Sequence, residues 1–463
     1  MAFLARLGDW IWNPWLLGLF LLVGGYYSIR TGFFQVFGIR LWWRETMGSL
    51  FHRKKRRGNG GLSQLQALST ALASTIGTGS IAGVATAIFY GGPGAVFWMW
   101  VSAFLGMMTG CAEKTLAVRY RERSPEGTWQ GGPMTYITQG LHLKWLAALF
   151  ALCCTAASLG GGNMVQANSI ATSLESVFGW NRFVVGIGVA LVTGVVIFGG
   201  IGRIGRVSER LVPAMALLFI AGGGVVLAVN GAALPAVFGR IFSAALVPQA
   251  AVGGVGGYAV SCAMRYGIAR GVFTNEAGLG SSAMAHAAAE VEDPVSEGMW
   301  GIFEVFIATL VVCTITALVI LVTGVYDAQA ALLAIAAGTT AEMPVGAPLS
   351  VLAFSTVFGR WGGAFVAICL LLFAFTSLLG WSYYGERGLS HLTGTTRWTP
   401  VYRGVFLLCI VAGSVGDLAA VWDLADVLNG LMALPNLAAL LLLSPEALRL
   451  LKGWRLRTER RKK

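Results

Sequence analysis

The stretch Leu72-Ala73-Ser74-Thr75-Ile76-Gly77-Thr78-Gly79-Ser80-Ile81-Ala82-Gly83 decides how this chain is read. It lies within a long apolar run, yet its middle is Gly-Thr-Gly-Ser, a poor helix former. A helix that unwinds inside a membrane frees N–H and C=O groups. Such backbone survives only where it is buried in protein or lines a cavity. Freed N–H groups at a half-helix start suit a carboxylate, and freed carbonyls suit a cation. The other reading is a small-residue packing face between helices. The segment alone leaves both open, and the rest of the chain bears on the choice.

Of the 463 residues, 56% are hydrophobic and 12% charged, against roughly 25% charged in a soluble chain. The apolar residues fall into long runs, about eleven of them near the ~20 residues a span requires. They cover 14–30, 62–90, 94–118, 145–176, 183–202, 209–229, 254–291, 298–323, 361–390, 401–418 and 424–444. So much apolar surface excludes a soluble core and predicts an all-α polytopic membrane protein.

The net charge of +12 is clustered. His52–Arg57, Arg119–Arg123, Arg203–Arg210, Arg387–Arg403 and the tail after Lys452 each follow or precede an apolar run. The positive-inside rule accounts for these clusters better than nucleic-acid binding does. It predicts the N-terminus outside and the C-terminus inside. Asp327, Glu342, Asp417 and Asp423 then fall outside, in segments without Lys or Arg. Residues 1–13 lack the pattern of a cleaved signal peptide, and Trp10, Trp12 and Trp15 read as an interfacial belt. Seven cysteines and four histidines show no metal-ligand spacing. No nucleophile, base and electrophile converge in sequence, so an enzyme is not expected.

Setting aside the 14–30 span leaves ten, which divide into five over 62–229 and five over 254–444, followed by a basic tail at 445–463. An odd number per half turns the second half upside down, the topology of inverted-repeat carriers. No linker marks a second domain, so 1–463 reads as one transporter domain. The stretches Phe238–Val252 and Ala328–Ala337 are short for spans and read as surface or re-entrant helices. The first helix of the second half should also break. Arg270–Ser281 is favoured over Gly253–Gly257, because it leaves half-helices of similar length at Tyr258–Gly271 and Leu279–Val291.

Polar groups inside apolar runs are the remaining signals. Gln166 falls mid-helix, where its amide suits a substrate group. Thr376 and Ser377 are adjacent hydroxyls, able to ligate a small cation or to hydrogen-bond a neighbouring helix. Glu113, beside Lys114 and Arg119, reads as a structural ion pair, and Glu276 as a buried carboxylate.

These residues resemble the alanine or glycine:cation symporter family, over about residues 14–445. The stretch Gly91–Gly106 is similar to the family's signature. Further matches are Asn163-Met164-Val165-Gln166-Ala167-Asn168, Asn275-Glu276-Ala277-Gly278-Leu279-Gly280, Gly301-Ile302-Phe303-Glu304-Val305-Phe306 and Gly380-Trp381-Ser382-Tyr383-Tyr384-Gly385-Glu386. The resemblance implies a leucine-transporter-type five-plus-five inverted repeat, here with one extra N-terminal span. It implies import of a small neutral amino acid, alanine or glycine, with Na⁺ or sometimes H⁺. It also implies a place in the prokaryotic plasma (inner) membrane. Na⁺ enters as a coupling ion, with no organic cofactor and no obligate protein partner. By the same resemblance the ion takes carbonyls of Ala73, Ile76 and Phe373 and hydroxyls of Thr376 and Ser377. The substrate carboxylate faces Gly77, Thr78 and Gly79, while Ser80, Gln166, Phe273 and Trp381 line the pocket. Ser80 stands where the family usually has asparagine, and Ala308 where it commonly has aspartate. A proton-coupled carrier using Glu276 or Glu304, a channel and a nutrient sensor are the rival readings.

Overall fold

The computed structural model describes residues 2–52, 61–124, 127–246, 255–340, 343–416 and 418–460. Arg53–Arg57 of the first basic cluster, Gly253 and Gly254 of the rival break, Glu342, Asp417 and the last three tail residues lie outside them. The described chain is mostly helical, with one antiparallel hairpin pairing Glu122–Arg123 with Trp129–Gln130 and an isolated parallel bridge between Leu62 and Ala289.

Fourteen of the helices among the described residues form the site and its surroundings. They are α1 (Pro14–Arg30), α2 (Gln64–Thr75), α3 (Ala82–Gly91), α4 (Gly94–Arg119), α5 (Lys144–Phe178), α6 (Arg182–Ile197), α7 (Gly200–Val229), α8 (Val255–Asn275), α9 (Ala283–Ala287), α10 (Pro294–Val322), α11 (Ala347–Phe358), α12 (Trp361–Thr393), α13 (Thr399–Val415) and α14 (Leu418–Leu442). Among the described residues, α4, α5, α7, α10, α12 and Leu424–Leu442 within α14 are long and apolar enough to cross a membrane. The most apolar stretch of α7 is only 33% buried, against 67% for α4 and α10. Thus α4 and α10 are central, and α7 turns most of its surface outward.

The helix starts follow local chemistry. Ser63 and Gln66 form a reciprocal capping box at α2, both bonds 3.1 Å. Asp293 caps α10 ahead of Pro294 through the N–H of Val295 at 2.9 Å. Inside, α4 lies along both α8 and α10. A Cβ at Gly301 would stand 2.5 Å from the Gly110 carbonyl, so small residues bring these helices together.

Three expectations shift. Arg203, Arg206 and Arg210 occupy the first turns of α7, which begins at Gly200 rather than 209. The connection at 324–360 holds the expected short helix Ala328–Ala337 and also the unexpected α11, and the other short helix, Leu234–Leu246, starts before Phe238. The second-half break is unequal: α8 runs on to Asn275, and α9 is a five-residue turn. Glu276 (φ 54), Gly278 (φ 96) and Gly280 (φ 79) adopt left-handed backbone between them. Two glycines within five residues accept that geometry without cost, so the helix persists until it reaches them.

Candidate functional site

α2 leaves helical geometry at Ile76 (φ −88, ψ 72), and Gly77 is extended. Thr78–Ser80 make one tight turn before α3. The freed N–H of Thr78 donates to Gln166 Oε1 at 3.3 Å. Gln166 is aimed by a π-helical turn at Gly160–Met164 in α5, whose Gly161 carbonyl accepts the Gln166 amide at 3.1 Å.

A buried cavity opens beside this break. The α2–α3 segment lines it with Ser74, Thr75, Gly77 and Gly79, and α5 with Gly161 and Gln166. The α8–α9 region adds Phe273, Thr274, Glu276 and Leu279. α12 adds Trp381 and α14 Asn429. Of the residues expected at a substrate site, Gly77, Gly79, Gln166, Phe273 and Trp381 meet here. Thr78 does not line the cavity, and its backbone N–H holds Gln166, which does. Ser80 does not line the cavity: its carbonyl accepts from Thr316 Oγ1 at 2.8 Å, toward α10. The hydroxyls of Thr78 and Ser80 are buried without a hydrogen-bond partner. Ala308 is buried in a second π-helical stretch, Phe306–Cys313.

Sequence reasoning assigned no site role to Ser74, Thr75, Gly161, Thr274, Leu279 or Asn429. Glu276 is expected as a buried carboxylate and, in the rival reading, as a proton carrier, but not as part of the substrate pocket. Its Oε2 accepts from Ser281 and lies 3.4 Å from Ser74 Oγ, which shares 2.9 Å with the Tyr384 hydroxyl. Asn429 carries a usable signal, one of two amides, with Asn436, in the apolar run of α14.

Of the expected ion ligands, Ser377 meets Ala73 where α12 crosses α2, and Phe373 and Thr376 lie beside it on α12. Ser377 Oγ lies 3.0 Å from the Ala73 carbonyl, 3.1 Å from that of Phe373 and 3.4 Å from that of Ser74. Thr376 Oγ1 is 3.0 Å from Phe373 O and 3.4 Å from Met215 Sδ. A serine has one proton to donate, so the carbonyl lone pairs here outnumber the hydrogens near them. Ile76 is buried at the end of α2, its N–H on Leu72 O at 2.8 Å.

Two further constellations flank the cavity. On one side Phe273 packs on Trp422 with ring centroids 5.6 Å apart. Arg270 holds Asp426 in a bidentate pair at 3.1 and 3.3 Å while lying over Trp422. On the other side runs a fully buried chain of charges. Glu113 accepts from Gly278 N at 2.9 Å and from Asn436 at 2.6 Å. Lys114 Nζ lies 3.7 Å from Glu113 and 3.3 Å from Glu304. His286 bridges Glu304 at 3.3 Å and Glu297 at 2.7 Å, and Glu297 accepts from Gln64 at 2.7 Å. Glu113 thus has its expected ion pair, but with Lys114 alone, since Arg119 pairs with Glu446 instead.

Comparison with known proteins fits this geometry. The sequence profile described as "Sodium:alanine symporter family" matches residues 1–463. The chain belongs to the sodium:alanine symporter family. It is 42% identical over 445 residues to the sodium/alanine symporter AgcS of Methanococcus maripaludis, covering 94% of this chain and 93% of the relative. It is 38% identical to the putative sodium/proton-dependent alanine carrier protein YrbD of Bacillus subtilis, covering 100% and 93%. Among solved structures, MhsT in complex with L-phenylalanine shares the fold, with a TM-score of 0.57 at 14% identity over 83% of this chain and 90% of that one. The fold is that of the leucine-transporter type, and this sodium:alanine symporter family member is an integral membrane amino-acid:cation symporter, not an enzyme.

Proposed function

We propose that the chain imports a small neutral amino acid, of alanine or glycine type, by coupling it to inward Na⁺ movement through alternating access. The observation that carries this reading is the Ser377 hydroxyl, set against the carbonyls of Ala73 and Ser74 at the end of α2, a few residues from the Gly77 break. Neutral oxygens in excess of hydrogens suit a small hard cation. Na⁺ takes the carbonyls of Ala73, Ile76 and Phe373 with the hydroxyls of Thr376 and Ser377. The amino-acid carboxylate takes the freed N–H groups at Gly77–Gly79. Gln166, Phe273 and Trp381 enclose the rest, and Ser80 acts from behind the break. Because Na⁺ draws α12 onto α2, ion and substrate favour each other's binding reciprocally.

In this reading 1–463 is one transporter domain. Eleven spans comprise the extra helix at 14–30 and two inverted halves at 62–229 and 254–444, and the basic tail at 445–463 faces the cytoplasm. The N-terminus is outside, and the host membrane is the prokaryotic plasma membrane.

The test is uptake of a panel of labelled amino acids by reconstituted protein under separate Na⁺ and H⁺ gradients. Wild-type Na⁺ dependence in a Thr376→Ala variant would sink the ion assignment. One observation favours a second reading. Glu276 lines the cavity, and an intramembrane carboxylate there suits a proton carrier. Uptake driven by a pH gradient without Na⁺ selects that version.

A further inference from the structure

A second cleft lies far along the fold from the cavity, between the end of α1 and the C-terminal helix Ser444–Arg460. It is an open cleft lined by both cationic and apolar residues. The C-terminal helix has two faces. Ala447, Leu451 and Trp454 are buried at spacings of four and three. Arg449, Lys452 and Arg455 recur every three residues along an adjacent exposed face, forming a cationic ridge.

This helix is fixed in place. Glu446 pairs with Arg119 at 3.1 Å, Arg457 with Asp293 at 2.6 Å, and Ser444 Oγ lies 3.3 Å from the Tyr26 hydroxyl. Tyr26 also stacks under Arg30, which closes α1 and lines the cleft. Among the described residues, Arg30, Arg449 and Lys452 have no carboxylate partner. Yet they line one space, whose apolar lining includes Phe34, Leu448, Leu451 and Trp454.

We propose that this cleft binds an anionic phospholipid, its phosphate held by Arg30, Arg449 and Lys452 and its glycerol and upper acyl chain against Phe34 and Leu448. Position and chemistry both select a lipid over a soluble anion. The cleft begins where the apolar run of α1 ends, at the level of the membrane surface. Its neighbours Phe33, Phe37 and Ile39 are exposed, as a bilayer contact requires. A free phosphate would use the cations and leave Leu448 and the exposed Phe33, Phe37 and Ile39 unengaged. Basic pockets of this kind recruit acidic headgroups.

The test is native mass spectrometry of the full chain in detergent, incubated with dioleoylphosphatidylglycerol or dioleoylphosphatidylcholine. Wild type retains the anionic lipid in preference to the zwitterionic one. Arg449→Gln with Lys452→Gln lowers that retention about fivefold for each charge removed. The charge-preserving Arg449→Lys with Lys452→Arg keeps it, which separates charge from folding. Arg397→Gln, on an exposed turn elsewhere, leaves it unchanged. Equal retention of the two lipids, or an equal loss in Arg397→Gln, overturns the proposal. Displacement of the lipid by excess inorganic phosphate also overturns it, in favour of a small-anion site.

Discussion

The hydroxyl of Ser377 lies 3.0 Å from the carbonyl oxygen of Ala73, a contact across 304 residues of chain. It fastens α12 to the end of α2, just where α2 stops being a helix. Ser377→Ala removes the hydroxyl from among three carbonyls and adds no bulk. An oxygen contact to a charged group is worth about 1.5–3 kcal/mol. The Na⁺ concentration for half-maximal uptake is therefore expected to rise roughly 10- to 100-fold. Proteoliposome uptake across a Na⁺ series measures it, and an unchanged midpoint places the ion elsewhere.

Gly77 and Gly83 offer a matched pair. A Cβ at Gly77 would stand 2.5 Å from Ser377 Oγ and 3.3 Å from Gln166 Oε1. At Gly83 nothing lies within 4 Å. Gly77→Ala should abolish uptake and Gly83→Ala should leave it near wild type, with both proteins reaching the membrane in similar amounts. Uptake by the Gly77 variant at the wild-type rate would mean the break does not touch the transported species.

Ser80 is a selectivity position in the proposed reading. Its hydroxyl is buried without a partner, and its carbonyl is held by Thr316. Ser80→Asn adds volume and an amide directly behind the cavity wall. The variant should accept fewer of the larger neutral amino acids than wild type does, read as a change in ranking across a competition panel. An unaltered ranking removes Ser80 from selection.

Lys114 is the cation of a buried chain otherwise rich in carboxylates. Lys114→Met leaves Glu113 and Glu304 without it, a loss of about 3–5 kcal/mol for a broken buried pair. A large drop in thermal midpoint in detergent is expected. Pairing it with Glu304→Gln should recover part of that drop, because one of the two uncompensated carboxylates is gone and only Glu113 remains. Additive loss in the double variant would argue that the two side chains do not interact.

The contrast between Gly77 and His286 shows what the chain discloses when read linearly. The Gly77–Ser80 break is visible because glycine and hydroxyl residues interrupt an apolar run, and the information is local. The run Asn275–Gly280 is visible for the same reason, though the helix outlasts the expectation by several residues. Backbone hydrogen bonds continue until Glu276, Gly278 and Gly280 turn left-handed. His286 showed no motif spacing, because its partners Glu297 and Glu304 lie on another helix. Asn429 and Ser74 join the cavity in the same way, through packing of helices distant in sequence. Arg203 looked like a loop residue because charge ends an apolar run, yet α7 begins before it. Helix ends are set by backbone bonds, and hydropathy does not register them.

One feature of α5 reaches beyond substitution. The π-helical turn at Gly160–Met164 winds one more residue into its turn than an α-helix holds. The wider turn absorbs that residue, so the helix after it, Gln166 included, faces as it would in a regular helix one residue shorter. Deleting one of the three consecutive glycines Gly160, Gly161 and Gly162 would therefore leave Gln166 close to its present direction, whereas closing the turn to a regular helix at unchanged length would swing it about 100° around the axis. What is inherited here is the wide turn itself: the chain should tolerate a one-residue gap among these glycines more readily than an exchange that closes the turn.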